Sequence, residues 1–251
     1  MNEQSALWEY TNIPHQHAKQ INKFQQNIKP DGRRENLYQG RAIIGRDTPI
    51  NGGVYFYNQD EAVVVDDQAD KRLMPIYGSV IQKIEQIRRT GIDPKGQILN
   101  IVYETVARLM PYDTGAGDRV HQRVGDNHKV YLGEFIGGGV CRHQGLLAAY
   151  LLEKLKTNGY VRGTVSVDRN QILGRGGHAW ARYTNSAGVV YILDVAQHYL
   201  GELKKKKNLL AWNYERPEDK TLRKNEKRNN GGFWQNFQRG LRKIFNPYKP
   251  H

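Results

Sequence analysis

The chain has 251 residues, of which 38% are hydrophobic and 10% aromatic, and its formal net charge is +13. This composition supports a buried core, so we expect a globular protein. The single cysteine excludes an internal disulfide and any structural zinc site that needs several thiolates.

The segment from Met1 to Gln20 lacks a basic start followed by an apolar run, so we expect no ordinary secretory signal. The longest apolar runs, such as residues 146–152, are far shorter than the ~20 residues that span a bilayer. We therefore predict a cytoplasmic protein that is not integral to a membrane. Export through a specialised secretion system stays open.

Residues 1–50 are rich in Gln, Asn and charged side chains, and we interpret them as an N-terminal arm that is extended or forms short helices. Residues 51–200 are predicted to form the main domain, and residues 201–251 a basic tail. Within the main domain, the runs 53–57 and 62–66 are rich in β-branched and aromatic residues and flank turn formers, which predicts a hairpin.

Two helices are predicted next, because apolar residues recur at helical spacing on both sides of a turn at residues 91–96. These residues are Ile76, Val80, Ile81, Ile84 and Ile87 in the first helix, and Ile98, Ile101, Val102, Val106 and Leu109 in the second. The stretch from Pro111 to Lys129 is predicted to be a long loop, a feature that is often functional or mobile in compact domains.

A third helix is indicated by the apolar stripe Leu146, Leu147, Tyr150, Leu151 and Leu155. Gly159 is a plausible stop for this helix. Three strand candidates follow at residues 160–167, 178–184 and 189–196. The predicted fold class is therefore α+β, with helices packed on an antiparallel sheet.

The only cysteine, Cys141, lies where three glycines, Gly137 to Gly139, meet the start of the third helix. Unpaired N–H groups and the positive end of the helix dipole at such a position favour the thiolate. The glycines allow a substrate to approach closely, and Gly139 is a predicted substrate-binding residue. The alternative is that Cys141 is a small buried core residue.

A histidine and an aspartate follow on two neighbouring strand candidates. Asp194 stands in an apolar run, where a buried carboxylate needs a partner, and His178 follows a glycine pair. A connecting loop of three residues would place the two side chains diagonally on one face, and a loop of five would make them direct neighbours. A loop of two or four residues would separate them, unless a bulge intervenes.

If they share a face, Asp194 orients His178, and the second ring nitrogen of His178 faces Cys141. That is the nucleophile, base and orienter arrangement of acyl-transfer catalysis. The alternatives are an edge-strand histidine bonded to water and a structural carboxylate bonded to the backbone. Trp180 shares the strand face of His178 and is predicted to wall the substrate site, although a core aromatic fits the pattern equally well.

In the segments "GGGVCRHQGLLAAYLL", "GGHAWARY" and "YILDVA", the chain resembles the transglutaminase-like superfamily of papain-like thiol enzymes. The resemblance extends from about Ile76 to Tyr199. It implies a transglutaminase-like core in which Cys141 is the nucleophile, His178 the general base and acid, and Asp194 its orienter. It further implies that the enzyme forms a thioester on protein amide groups, as transglutaminases, deamidases and cysteine proteases do.

The resemblance leaves the oxyanion site partly unassigned. The backbone N–H of Cys141 is the predicted donor. Papain-like enzymes often add a glutamine upstream, where this chain reads "GEFIGG", and His143 and Gln144 are poorly placed substitutes. We expect no metal and no cofactor, because the paired cysteines of peptide N-glycanases are absent and the calcium sites of animal transglutaminases cannot be mapped onto this chain.

Most of the positive charge lies at the C-terminus, where 14 Lys/Arg against 5 Asp/Glu from Gly201 to His251 give +9 and leave +4 for the rest. The segment "FWQNFQRGLRKIF" predicts an amphipathic helix, which either docks on the catalytic core or lies on an anionic membrane surface. The rival hypothesis is a catalytically silent module that uses this tail to bind a membrane, a partner protein or nucleic acid. Nucleic acid is the weakest of these, because no recognisable binding motif alternates aromatic and basic residues.

Overall fold

The computed structural model describes residues 6–8, 24–32, 34–46, 48–58, 61–124, 129–172, 176–203 and 212–220. The chain divides into two units, Met1–Trp212 and Asn213–His251. In the second unit, residues 217–220 are helical, and the Arg216 N–H donates a 2.8 Å hydrogen bond to the Asp219 carboxylate. The amphipathic helix predicted over residues 233–245 lies outside the described residues.

The described part of the chain has a mixed α/β fold. In chain order its elements are β1 (Ala6–Trp8), β2 (Phe24–Ile28), β3 (Arg34–Tyr38), β4 (Arg41–Ala42), β5 (Gly53–Asn58), β6 (Glu61–Val65), α1 (Leu73–Arg89), α2 (Ile98–Leu109), α3 (Ala116–Val124), β7 (Lys129–Tyr131), α4 (Cys141–Thr157), β8 (Gly163–Ile172), β9 (Gly176–Asn185), β10 (Val190–Asp194) and β11 (Tyr199–Glu202). Two short 3-10 helices, Pro94–Gly96 and Leu132–Phe135, precede α2 and follow β7. None of the described helices is both long enough and apolar enough to cross a membrane.

The largest sheet has five strands in the order β1-β8-β9-β10-β11, and every neighbouring pair is antiparallel. Alternation along these strands separates two sets of side chains. Val167, Ala181 and Leu193 belong to the main apolar core together with residues of α4. The alternate positions carry most of the buried polar residues of the sheet, among them His178 and Asp194.

The three predicted central helices are confirmed. In α1 the buried residues include Ile76, Val80 and Ile84, and in α2 they include Ile101 and Val106. The third, α4, is buried on nearly all sides from His143 to Leu152, as expected for a helix at the centre of a domain. It therefore packs between the sheet and α2.

The predicted stop at Gly159 is also confirmed. Gly159 has a φ of +77°, which a residue with a Cβ adopts at a cost. Its N–H donates to the Lys156 carbonyl at 3.0 Å, and the Tyr160 N–H donates to the Leu155 carbonyl at 2.9 Å. These two bonds form a Schellman motif, which satisfies carbonyls at the end of α4.

The other two sheets are small. One has the order β5-β6-β7 and contains the predicted hairpin, with β7 added parallel to β6; the other has the order β2-β3-β4. The N-terminal arm thus contributes strands rather than short helices where it is described. Its first strand, β1, pairs with β8 at the edge of the five-stranded sheet.

The prediction of a long loop from Pro111 to Lys129 was wrong, because α3 lies within it. Ala116 and Val120 are buried, while the remaining positions of α3 are mostly polar. Two buried residues spaced by four are too few to give a clear helical periodicity in the sequence.

The predicted end of the first strand candidate at Val167 was also wrong, since β8 continues to Ile172. The added residues Asp168, Arg169 and Asn170 are polar, which is atypical of a buried strand. They are buried with hydrogen-bond partners: the Ser166 hydroxyl, two residues earlier on β8, donates to Asp168 at 2.9 Å, and the Arg169 guanidinium donates to the distant Phe56 carbonyl at 2.6 Å.

Candidate active site

Cys141 is the first residue of α4, as the sequence predicts, and it is partly exposed. The preceding residue, Val140, is extended, and its carbonyl accepts hydrogen bonds from the His143 and Gln144 N–H groups. The Val140 N–H donates back to Nδ1 of His143 at 3.2 Å. The helix therefore begins sharply at the cysteine, with the first-turn N–H groups beside the sulfur.

The three glycines fit a tight contact between the start of α4 and residues 109–113. Gly137 has a φ of +96° and its N–H donates to the Leu109 carbonyl at 2.8 Å. A Cβ on Gly138 would lie 2.9 Å from the Asp113 carboxylate, and one on Gly139 would lie 2.8 Å from Cγ of Met110. A side chain at either position would therefore displace Asp113 or Met110.

Gly139 is buried, and its backbone groups are both engaged. Its N–H donates to the Pro111 carbonyl at 3.0 Å, and its carbonyl accepts from the Asp113 N–H at 2.9 Å. The geometry therefore supports a role for Gly139 in positioning Cys141. Its predicted contact with a substrate stays a prediction.

His178 and Asp194 lie on the same face of β9 and β10. The Asn185 N–H donates to the Val189 carbonyl at 2.9 Å, which closes a three-residue loop over residues 186–188. The strand register pairs Ala181 with Leu193, so Asp194 is diagonal to His178. Nε2 of His178 is 2.6 Å from Oδ2 of Asp194, which confirms the same-face prediction for the three-residue loop.

The start of α4 lies beside this pair because α4 crosses β9 closely. A Cβ on Gly145 would lie 3.2 Å from the Trp180 backbone, which is tighter than most Cβ contacts, so glycine favours this close crossing. Cys141 is one helical turn before Gly145 on the same helix face, and His178 is two residues before Trp180. The His178 side chain and the Ala179 N–H are close enough to the Cys141 sulfur for both to lower the pKa of the thiol.

The cysteine and the histidine shift each other's pKa. Burial alone would raise the pKa of the Cys141 thiol, but hydrogen bonding to His178, its positive charge, the Ala179 N–H and the charge of Arg142 lower it overall. Burial alone would lower the pKa of His178, but the hydrogen bonds and charges of Asp194 and Cys141 raise it to about 9. Both shifts favour the thiolate–imidazolium pair over the neutral pair.

Asp194 is held in place by a second contact. Its Oδ1 accepts a 3.1 Å hydrogen bond from the Gln197 N–H, while Oδ2 faces the histidine. The carboxylate is 2% exposed, so its interaction with His178 is shielded from solvent. Its charge extends to Tyr103 of α2, where burial and then Asp194 raise the pKa of the phenol.

The neighbouring predicted residues are less accessible. Trp180 is fully buried, and its ring centroid lies 5.9 Å from that of His178, so any effect on a substrate would be indirect. The Gln144 amide donates to the Met110 carbonyl at 2.8 Å, and the His143 ring stacks on Phe135. Both side chains are engaged inside the core, in agreement with their predicted poor fit to an oxyanion role.

Sequence reasoning missed two residues beside the histidine, Asn170 and Trp212. Asn170 is the cross-strand partner of His178, and Trp212 packs on the His178 ring with centroids 4.7 Å apart. The polar alternation Ser166, Asp168, Asn170 could have indicated a strand whose polar face continues past Val167. Nothing in the sequence near Trp212 indicates that it returns to the site.

A cavity of about 640 Å³ lies away from this site. Its lining includes Tyr183 and Asn185, at the end of β9 opposite to His178, together with Lys95 and Arg162. It is therefore not the space in which the cysteine would react. Across the described residues, His, Cys, Asp and Glu form no group of three that could hold a metal ion.

Comparison of the chain with protein-family models, with curated proteins and with solved structures found no match. The function is therefore inferred from the geometry around Cys141 and from the chemistry of its neighbours.

Proposed function

We propose that the chain is a thiol enzyme that forms a thioester on protein or peptide amide groups, with Cys141 as the nucleophile. The observation that carries this proposal is the position of the His178 ring, which lies 2.6 Å from the Asp194 carboxylate and close enough to Cys141 to lower the pKa of its thiol. A buried histidine with only a structural role has no need of a partly exposed thiol at a helix start as its second partner.

The proposed reaction begins with attack of the Cys141 thiolate on the amide carbonyl carbon. A carbon–sulfur bond forms, and the carbonyl electrons move to oxygen to give a tetrahedral oxyanion. The oxyanion collapses, the carbon–nitrogen bond breaks, and the His178 imidazolium gives its proton to the leaving nitrogen. Asp194 stabilises the cationic ring before this transfer.

The second half of the reaction resolves the thioester. Neutral His178 takes a proton from water or from an amine, which attacks the thioester carbonyl, and the Cys141 thiolate leaves. Water gives hydrolysis, as in a deamidase or a protease, and an amine gives transfer, as in a transglutaminase. The protonated histidine and the thiolate are restored at the end of either route.

Backbone groups at the start of α4 suit the oxyanion. The Cys141 N–H belongs to the first turn, whose donors have no acceptor within the helix. The positive end of the helix dipole lies at the same place, where negative charge develops on the carbonyl oxygen. Gly137, Gly176 and Gly177, which are close in sequence to Cys141 and His178, are exposed.

The resemblance to the transglutaminase-like superfamily adds to this proposal. The order of Cys141, His178 and Asp194, with the cysteine on a helix and the other two on adjacent antiparallel strands, fits that core. We extend the proposal to a transglutaminase-like catalytic core spanning the sheet, α2 and α4.

The test is an assay of a glutamine-containing protein such as casein, incubated with the full chain and a fluorescent primary amine. Amine incorporation, ammonia release or peptide cleavage that disappears in Cys141→Ala would support the proposal and would identify the route. A matched control, His121→Ala, changes a histidine outside the site and should retain the activity. Equal product in wild type and Cys141→Ala would overturn it.

A further inference from the structure

The His178 ring has a third neighbour besides Cys141 and Asp194. Trp212 lies against it, with ring centroids 4.7 Å apart and planes inclined by 49°. Trp212 is 5% exposed, so it is part of the buried site although it follows the last strand of the sheet by ten residues. Its indole Nε1–H donates a hydrogen bond to Oδ1 of Asn170.

Asn170 links this tryptophan to the catalytic strand. It is 1% exposed, and its Cα lies opposite that of His178 in the β8–β9 ladder. A residue at this position is fixed relative to His178 by the sheet itself. The hydrogen bond from Trp212 to Asn170 therefore fixes the indole relative to the imidazole.

We propose that Asn170 and Trp212 are positioning residues that hold the His178 ring in line between Asp194 and Cys141 and exclude water from its hydrogen bond to Asp194. This inference rests on the proposed function, because it assigns these residues a role in the chemistry of the same site. It also extends the functional part of the chain past β11 to Trp212.

The physical argument is that the imidazole has two nitrogens and two faces. Asp194 and Cys141 restrain the nitrogens, but a ring that can tilt loses hydrogen-bond alignment on both sides at once. Trp212 lies against the ring at a tilt of 49°, and its π system attracts the cationic form of the ring at a centroid distance of 4.7 Å. Excluding water there strengthens the interaction between the imidazolium and the carboxylate.

The charges around His178 come from several elements. Asp194 on β10 and Cys141 on α4 face the ring directly, Arg142 acts on the sulfur, and Tyr103 of α2 lies near the carboxylate. On its own strand, Arg182 is 3.8 Å from Asp168. Asn170 and Trp212 are neutral, so they act on the histidine through geometry, water exclusion and the aromatic face.

The experiment is an NMR titration of His178 in the full chain, in wild type, Trp212→Ala, Trp212→Phe and Asn170→Ala. The chain has eight histidines, so the His178 signal is assigned by its loss in His178→Gln. We expect Trp212→Ala to lower the pKa of His178 by about one unit and to slow alkylation of Cys141 at about pH 6 roughly tenfold. Trp212→Phe keeps a ring but loses the donor to Asn170, so its effect and that of Asn170→Ala should be smaller.

Tyr191→Ala, an aromatic of the same sheet remote from His178, is the control for general loss of packing. An unchanged pKa and alkylation rate in folded Trp212→Ala, beside a wild type with a raised His178 pKa, would overturn the inference and leave the proposed function standing. An ordinary His178 pKa and an unreactive Cys141 in wild type would instead overturn the proposed function. A pKa lowered in Trp212→Ala but not in Tyr191→Ala supports the inference.

Discussion

The two ends of α4 each meet a buried carboxylate, but they use it differently. Near the C-terminal end, Asp67 accepts from the Lys154 ammonium at 2.9 Å, the Tyr150 hydroxyl at 3.1 Å and the Asn51 amide at 3.1 Å. At the N-terminal end, Asp194 accepts from His178, which in turn reaches the partly exposed sulfur of Cys141.

The two carboxylates differ in whether their partner can transfer a proton to a reacting group. Lys154 and its neighbours are permanent donors, and although burial opposes it, their hydrogen bonds lower the pKa of Asp67, which keeps the pair charged. His178 carries a proton that it can give to a reacting group, and its second partner is a nucleophile. Equal burial thus gives a structural ion pair at one end of the helix and a reactive group at the other.

The largest expected effect is on the rate of amide turnover, which should depend on Asp194 and not on Asp67. Asp194→Asn removes the charge that stabilises the imidazolium, so we expect amide turnover to fall by about 10²–10⁴-fold. Asp67→Asn changes the corresponding carboxylate at the other end and should leave the turnover of the folded protein unchanged. Steady-state rates in the casein assay test this prediction. An Asp194→Asn variant as active as wild type would contradict the role of Asp194 in orienting His178.

Stability, in contrast to turnover, should depend strongly on the ion pair at the C-terminal end of α4. Lys154→Met leaves the Asp67 carboxylate, which is 2% exposed, without its cation and should cost about 3 kcal/mol of unfolding free energy in urea denaturation. The matched control is Lys156→Met, an exposed lysine two residues further along α4. Equal denaturation midpoints for the two variants would contradict the structural role of the Asp67 cluster.

The pH dependence of stability should report the histidine. Its folded pKa of about 9 lies above the ordinary 6.5, so its stabilising effect is complete below 6.5 and is lost as the pH rises through about 9. We compare Cys141→Ala with the double variant Cys141→Ala/His178→Gln, in which Asp194 loses its cationic partner. Their difference in unfolding free energy should shrink by about 2 kcal/mol from about pH 6 to above about pH 9; a constant difference would speak against a raised pKa.

The smallest effect concerns the end of α4. Gly159→Ala forces a Cβ into a φ of +77° and should cost about 1 kcal/mol, without changing the reactivity of Cys141. Gly78→Ala, within α1 and with open space around the new Cβ, should instead stabilise by roughly 0.5–1 kcal/mol. Thermal unfolding should show a lower Tm for Gly159→Ala and a higher Tm for Gly78→Ala. Tm shifts in the same direction would contradict the role of Gly159 in ending α4.

The helices and the strand pair at the site could be predicted from the sequence because both depend on local patterns. Apolar spacing located α1, α2 and α4, and the parity of a hairpin loop placed Asp194 on the face of His178. Local patterns failed where tertiary partners dominate. The polar end of β8 is a strand because Asp168 and Arg169 find buried partners, which no propensity encodes.

Contacts between segments far apart in the sequence could not be predicted from the sequence either. The predicted boundary at residue 200 cut off Trp212, which packs on His178, and nothing nearby distinguishes this tryptophan from a surface residue. The glycines before Cys141 were predicted to allow a substrate to approach closely. Their packing against residues 109–113 depends on a contact between segments about 30 residues apart, which only the structure reveals.

The most direct test of the central claim is the rate of Cys141 alkylation by iodoacetamide as a function of pH, in wild type and in His178→Ala. The account predicts that wild type reacts rapidly well below about pH 8.5, the range of an ordinary thiol, and that the rise in rate moves up to that range in the variant. His121→Ala should follow wild type. A wild-type rate that rises only near about pH 8.5, and is unchanged in His178→Ala, would contradict an activated thiolate at the start of α4.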